Sequence, residues 1–182
     1  MQDLDLAGLY PVKFSALVKE KVWGGRKLAL WYQQGLDADR QIGEVWAVWD
    51  QLLIDNGPLR GQKLADLVRD RPVQILGSRF TGAQPLFPLL VKLLDTQAML
   101  SVQVHPDDAY AQANEGETFG KAEAWYIIDA EPDARLIHGI TSPLTRSEAD
   151  EAIRTGALRD LMDYVPVTAG DVIMNPPGTI HA

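Results

Sequence analysis

The stretch that decides the fold is "MLSVQVHPDDAYAQ", residues 99–112. Within it, apolar and polar side chains alternate one by one: Leu100, Ser101, Val102, Gln103, Val104, His105. Successive side chains of a β-strand point to opposite faces, so the alternation predicts a strand over 99–105 with a buried apolar face. The other face would carry a hydroxyl, an amide and an imidazole in a row, which raises the question of what these groups bind.

On both sides of this segment, short β-rich runs predict further strands, and turn sequences such as Asp55-Asn56-Gly57 separate them. The other predicted strands are residues 42–49, 52–55, 124–129, 134–140 and 171–182.

Predicted helices are fewer. Pro106 and the two aspartates after it suit the first turn of a short helix, where a missing N–H costs nothing and acids meet the positive end of the dipole. Residues 61–70 predict a second helix, with one apolar face made of Leu64, Leu67 and Val68.

The longest predicted helical stretch is 145–165. Thr145 and Glu148 are spaced as a capping box at its start, and we expect Gly156 to break it into two helices. Many short strands with a few helices packed to one side predict a mainly β fold, a barrel or sandwich, in one domain over 1–182.

The composition restricts the classes of function. At 182 residues the chain is long enough for one domain that buries roughly 70% of its unfolded surface. It has no cysteine, so a tightly held transition metal would need His, carboxylate or amide ligands. The net charge of −8 argues against nucleic acid and anionic membranes as partners, since both are bound through clustered Lys and Arg. With no signal-peptide pattern and no apolar run of membrane-spanning length, we expect a cytoplasmic protein.

Three segments carry side chains that suit a metal site. Gln103 and His105 share the polar face of the first strand, Glu123 opens a later one, and His181 lies in the last run. If these strands line one barrel, the donor set that converges suits a borderline divalent cation such as zinc. Taken singly, each residue also has an ordinary explanation as a hydrogen-bonded or solvated group, and we expect His138 to be structural.

Three motifs resemble successive motifs of the type I mannose-6-phosphate isomerases, in particular their short bacterial branch: "LSVQVHPDD" (100–108), "GKAEAWYII" (120–128) and "VIMNPPGTIHA" (172–182). The earlier "KVWGGRKL" (21–28) and "IGEVWAV" (42–48) resemble the N-terminal signatures of that family. Its members are zinc enzymes of the cupin superfamily, so the resemblance implies a cupin-type jelly-roll β-barrel with a few helices packed to one side.

The resemblance also implies which residues form the site. The zinc ligands would be Gln103, His105, Glu123 and His181, so that the amide and imidazole of the opening segment face inward to hold the metal.

Other residues would meet the substrate. Lys121 matches a family position where a lysine contacts the sugar phosphate, so it is predicted to be both catalytic and substrate-binding. Two residues before Glu123 on an extended chain, it would share that ligand's face and put a positive charge beside an anionic sugar. Ser101 matches a pocket hydroxyl. Trp23 and Glu44 match positions near the pocket, although Trp23 also suits a core and Glu44 a buried ion pair.

The implied reaction interconverts mannose 6-phosphate and fructose 6-phosphate by proton transfer through a cis-enediol. Zinc would stabilise charge on the C1 and C2 oxygens, and a general base, which the sequence does not identify, must reach the C2 proton. The chain stops one residue after His181, and the family's catalytic arginine lies further downstream. We therefore expect a catalytic domain incomplete at its C-terminal end, with weak or no turnover.

Two other functions fit part of the pattern. His105, Glu123 and His181 form a two-His, one-carboxylate set that also suits non-haem ferrous cupin oxygenases, although Gln103 as a ligand would fill one of the open positions. A non-catalytic sugar-phosphate-binding cupin fits as well. Iron in the purified protein would favour the oxygenase, and binding of mannose 6-phosphate without proton exchange at C2 would favour the binding protein.

Overall fold

The computed structural model describes residues 10–32, 39–78 and 85–182. The chain divides into two compact units, Met1–Ala98 and Met99–Ala182. The expectation of a single domain over 1–182 stays a prediction. Among the described residues, no helix combines the length and the apolar character needed to cross a membrane.

The first unit is built on a three-stranded antiparallel sheet in the order β1-β2-β3. Its strands are β1 (Leu17–Gly25), β2 (Ile42–Val48) and β3 (Val91–Leu94). The central strand β2 confirms the strand predicted over 42–49, and helix α1 (Lys27–Tyr32) packs on it. The buried residues that join α1 to β2 are Leu28, Ala29, Ile42 and Val45.

The glycine pair in "VWGG" makes two close approaches, one to a neighbouring backbone and one to a side chain. A Cβ on Gly24 would lie 2.6 Å from the backbone nitrogen of Gly43, and a Cβ on Gly25 would clash with the carboxylate of Asp95. That carboxylate accepts a hydrogen bond of 2.6 Å from the backbone N–H of Lys27, at the start of α1. The two glycines therefore allow α1 to begin against the sheet.

Two short helices follow in this unit, α2 (Leu64–Asp70) and α3 (Pro72–Leu76). The helix predicted over 61–70 begins three residues late but buries the three predicted apolar residues. The strand predicted over 52–55 is wrong. The backbone there forms only isolated bridges, which are Leu53 with Lys63 and Phe14 with Ile54.

The second unit contains two two-stranded antiparallel sheets, β4 with β7 and β5 with β6. The strands are β4 (Glu123–Tyr126), β5 (Arg135–Ile140), β6 (Met162–Pro166) and β7 (Val172–Asn175). Three of them confirm, in shortened form, the strands predicted over 124–129, 134–140 and 171–182. The mainly β architecture with few helices is confirmed, and the sheets among the described residues are three separate small ones.

The helix predicted at Pro106 begins slightly later. Asp107 is its N-cap and accepts a hydrogen bond of 2.8 Å from the N–H of Tyr110, so Pro106 precedes the helix instead of lying in its first turn. Helix α4 (Asp108–Tyr110) continues through a π-helical turn (Ala111–Glu115).

Helix α5 (Arg146–Thr155) opens with the predicted capping box and ends at Gly156, whose φ of 78° is left-handed. The prediction of helix as far as residue 165 is wrong. A 3-10 turn (Ala157–Leu161) leads into β6, because pairing of Val165 with Leu136 of β5 overrides the local helical pattern.

The strand predicted over 99–105 is wrong, because the only β-pairing of this segment is an isolated bridge between Gln103 and His181. The predicted burial of the apolar face is wrong, since Val102 and Val104 are 42% and 57% exposed. The half-buried side chains are those of Leu100, Gln103 and His105, and Ser101 is exposed. Burial therefore follows the predicted alternation only over 102–105, where the side that carries Gln103 and His105, next to the His181 segment, is the covered one.

Candidate metal centre

Two imidazoles and one carboxylate converge in the second unit. The side chains of His105, Glu123 and His181 each offer a ligand atom, and these atoms all lie within 4.8 Å of one another. His105 Nε2 is 3.5 Å from Glu123 Oε1, and His181 Nε2 is 3.6 Å from Glu123 Oε2. Three of the four predicted zinc ligands are thus neighbours although 76 positions separate the first from the last.

Backbone hydrogen bonds bring the two histidine segments together. Gln103 and His181 each donate an N–H to the other's carbonyl at 2.9 Å. The N–H of Gly178, in the Pro-Pro-Gly turn before His181, donates to the carbonyl of His105 at 2.8 Å. Glu123 comes from the other side, as the first residue of β4.

The hydrogen bond of His181 fixes its tautomer. Nδ1 lies 2.8 Å from the carbonyl oxygen of Thr179, and because that oxygen only accepts, Nδ1 carries the proton. Nε2 therefore presents a lone pair. It is buried, and it has no hydrogen-bond partner within the described part of the chain.

His105 differs from His181, because the lone pair on its Nε2 accepts a hydrogen bond from Lys121. Its Nε2 lies 3.0 Å from Nζ of Lys121, an ammonium that only donates. The ammonium of Lys121 thus serves both His105 and Glu123, and a bound cation would take its place between the imidazoles and the carboxylate. This donor set fits zinc, which binds imidazole nitrogen and carboxylate oxygen.

Lys121 places a positive charge at the edge of the donor set. Its Nζ is 2.5 Å from Glu123 Oε1, and its side chain is 42% exposed. Lys121 therefore lies beside Glu123 as predicted, and its side chain is partly exposed to solvent.

Trp125 is a contact of the centre that the sequence did not assign a role. Its indole N–H donates to Glu123 Oε2 at 3.1 Å, and its ring meets the ring of His181 edge-on, with centroids 5.5 Å apart. The signal that could have found it is the spacing Glu-X-Trp, which places both side chains on one face of a strand.

Asn175 is the second residue that sequence reasoning missed. It pairs with Glu123 across β4 and β7, and it is 1% exposed. Neither polar atom of its amide has a hydrogen-bond partner among the described residues. The available signal was an asparagine at an inward position of the run "VIMN".

The other predicted site residues of this unit have side-chain hydrogen bonds outside the donor set. Gln103 donates from its side-chain amide to the hydroxyl of Ser101 at 3.2 Å, and Ser101 is exposed. The roles of Gln103 as fourth ligand and of Ser101 as substrate contact stay predictions. His138 has a structural contact, with its Nε2 2.9 Å from the carbonyl oxygen of Met174.

Trp23 and Glu44 belong to the first unit. The ring of Trp23 lies over Gly43, where a Cβ would come within 2.7 Å of it. Glu44 is buried, accepts the indole N–H of Trp46 at 2.7 Å and faces Nζ of Lys92 at 3.9 Å. Both residues have ordinary packing contacts, and their substrate-binding roles stay predictions.

Comparisons with known proteins identify the relatives of this chain. Residues 12–142 match the family model of the type I phosphomannose isomerase catalytic domain. Over 177 residues the chain is 40% identical to a probable mannose-6-phosphate isomerase, GmuF, of Bacillus subtilis, covering 95% of this chain but 54% of that relative. The chain therefore spans about half the length of the relative.

Solved structures show the same likeness. The mannose 6-phosphate isomerase from Bacillus subtilis matches with a TM-score of 0.83 at 33% identity, over 95% of this chain and 55% of that one. A mannose 6-phosphate isomerase from Salmonella typhimurium, bound to fructose 6-phosphate and zinc, shares the fold, with a TM-score of 0.65 at 15% identity over 93% of this chain and 64% of that one. Fold, motifs and family match lead to one conclusion: the chain belongs to the type I phosphomannose isomerase family, through its catalytic domain.

Proposed function

We propose that this chain carries the zinc-dependent aldose–ketose isomerisation that interconverts mannose 6-phosphate and fructose 6-phosphate. The observation that carries this proposal is that ligand atoms of His105, Glu123 and His181 lie within 4.8 Å of one another, beside the ammonium of Lys121. Family membership supplies the substrate class, and the Salmonella typhimurium relative, which is bound to zinc and fructose 6-phosphate, supports both the metal and the sugar phosphate.

The zinc would be held by Gln103, His105, Glu123 and His181. Bound there, it would act as a Lewis acid that polarises the C1 and C2 oxygens of the sugar. The hydrogen bond from His181 Nδ1 to Thr179 keeps Nε2 aimed at the centre, and the Trp125 indole orients the Glu123 carboxylate.

Lys121 is the proposed catalytic and substrate-binding side chain. Its half-exposed ammonium is tethered two residues from Glu123, so it can meet an anionic sugar phosphate at the edge of the donor set. We propose Ser101 as a second contact of this ligand, a role supported by its exposed hydroxyl, which is hydrogen-bonded to Gln103. We keep Trp23 and Glu44 as proposed substrate contacts from the family resemblance.

We propose a cytoplasmic location. A sugar phosphate is charged, and transfer of an unpaired charge into an apolar phase is costly, so such a substrate stays in the compartment where it is made.

The test measures metal and turnover on the same preparation. We expect one zinc per chain by elemental analysis, and slow exchange, with deuterium from D₂O appearing at C2 of mannose 6-phosphate by NMR at the low rate expected of this chain. His105→Ala serves as the inactive reference. Retention of sugar phosphate with no exchange would establish the non-catalytic binding protein instead, and stoichiometric iron in place of zinc would favour the oxygenase.

A further inference from the structure

Asn175 is a fully buried amide without a partner. It is 1% exposed, and within the described residues neither its Nδ2 nor its Oδ1 makes a hydrogen bond. A buried amide that makes no hydrogen bond costs free energy, because it has lost its contacts with water. An apolar residue would avoid this cost, so the amide at this position needs a reason.

The register of the sheet shows where the amide lies. Asn175 is directly opposite Glu123, and residues opposite each other in an antiparallel pair share a face. Burial along β7 agrees with this register. Ile173 and Asn175 are covered, whereas the alternate residues Val172 and Met174 are exposed. The covered face of this sheet is therefore the one that carries Glu123.

The carboxylate of Glu123 already has two partners. Lys121 is bound to Oε1, and the indole of Trp125 donates to Oε2. A carboxylate oxygen can accept more than one hydrogen bond, and carboxylates that bind metals are usually oriented by such bonds. The ammonium of Lys121 and a divalent cation compete for the same oxygen, so occupancy by the cation frees the carboxylate from Lys121.

We propose that Asn175 is a positioning residue of the metal centre: its Nδ2–H₂ group donates to the Glu123 carboxylate when that carboxylate turns from Lys121 to a bound cation. This inference rests on the proposed metal site and adds to it a residue outside the ligand set. Asn175 then carries its unpaired amide because the amide is used only when the cation is present.

Two variants of equal shape test the proposal. Asn175→Val and Asn175→Thr differ only in a methyl against a hydroxyl, so any difference between them reports the hydrogen bond. Zinc affinity is measured by competition with a chromophoric chelator, and thermal unfolding is measured with and without zinc. Met174→Leu, on the exposed face of the same strand, is the matched control.

We expect Asn175→Val to weaken zinc binding about 10-fold or more, as is usual for groups that orient metal ligands. We also expect it to raise the unfolding temperature of the zinc-free protein, because the unpaired amide is gone. Asn175→Thr should recover part of the affinity, and Met174→Leu should leave it unchanged.

Other outcomes overturn the proposal in distinguishable ways. If both Asn175 variants bind zinc as tightly as the unaltered protein, or lose the same amount of zinc affinity, Asn175 has no positioning role. The proposed metal site would be unaffected by either result. A lower unfolding temperature with unchanged affinity assigns Asn175 a purely structural role. If the unaltered protein binds no zinc, the proposed function fails first and the inference fails with it.

Discussion

Glu44 and Glu123 are two versions of one local arrangement. Each is a largely buried glutamate that accepts the indole N–H of a tryptophan two residues later, at 2.7 Å for Trp46 and 3.1 Å for Trp125. Each also faces a lysine, Lys92 at 3.9 Å in the first unit and Lys121 at 2.5 Å in the second.

The surroundings of the two carboxylates differ. Glu44 is paired across the sheet with Lys19 and Leu94. The side chain of Glu123, in contrast, lies beside the imidazoles of His105 and His181. In both copies, the indole N–H of the Glu-X-Trp pair and a nearby lysine ammonium provide the buried carboxylate with a hydrogen bond and a positive charge. The histidines, brought in from other segments, turn the second copy into a candidate metal centre.

The largest expected difference between the two copies is in zinc affinity. Glu123→Gln should lower it by more than 100-fold, beyond the 10- to 100-fold typical of groups outside the ligand set, because a charged ligand is lost. Glu44→Gln should leave it unchanged. Calorimetric titration of both variants checks this, and a comparable loss in Glu44→Gln would contradict the contrast.

The tryptophans sharpen the same comparison. Trp125→Phe removes the indole donor to Glu123 and should weaken zinc binding about 10-fold. Trp46→Phe should change only stability, by about 1 kcal/mol of unfolding free energy, because Glu44 is not a ligand. Chelator competition and denaturant unfolding on both variants separate the two effects, and equal zinc affinities would refute the assignment.

The lysines should differ in the direction of their effects. Lys121→Met removes an ammonium that competes for Glu123 and should tighten zinc binding by up to about fivefold, a small gain because the lysine is half exposed. Deuterium exchange into the sugar should fall at the same time. Lys92→Met should alter neither quantity. Weaker zinc binding in Lys121→Met would show that the lysine supports the cation instead.

The smallest effect concerns a third glutamate, Glu148, which is exposed at the start of α5. Hydrogen bonds from the hydroxyl of Thr145 and then from its backbone N–H lower the pKa of Glu148 below its ordinary value of 4.5. A lowered pKa stabilises the fold above pH 4.5, and this contribution is lost as pH falls through the shifted value.

Thermal melts between about pH 6 and pH 3 should show a shallower acid decline for Glu148→Gln than for the unaltered protein. Zinc affinity at neutral pH should be the same in both, since α5 is outside the donor set. An identical acid decline would mean that the capping box adds no pH dependence.

Much of the local structure could be predicted from the sequence. The capping box at Thr145, the left-handed stop at Gly156 and the strand 42–48 depend on neighbours in the chain, where pattern and propensity operate. The errors lie in segments whose structure depends on pairing with residues far away in the chain. Residues 162–165 were predicted as helix because their pairing with β5 cannot be read from local periodicity.

The candidate site divides in the same way. The sequence by itself determined which side chains are available as donors, the alternation that puts Gln103 and His105 on one face, and the motifs that place the chain in its family. Only the tertiary structure decided that Gln103 and His105 are covered while Val102 and Val104 are exposed, and that Trp125 and Asn175 belong beside Glu123. The physical reason is that alternation fixes relative sides along one strand, whereas burial and cross-strand register depend on segments far away in the chain.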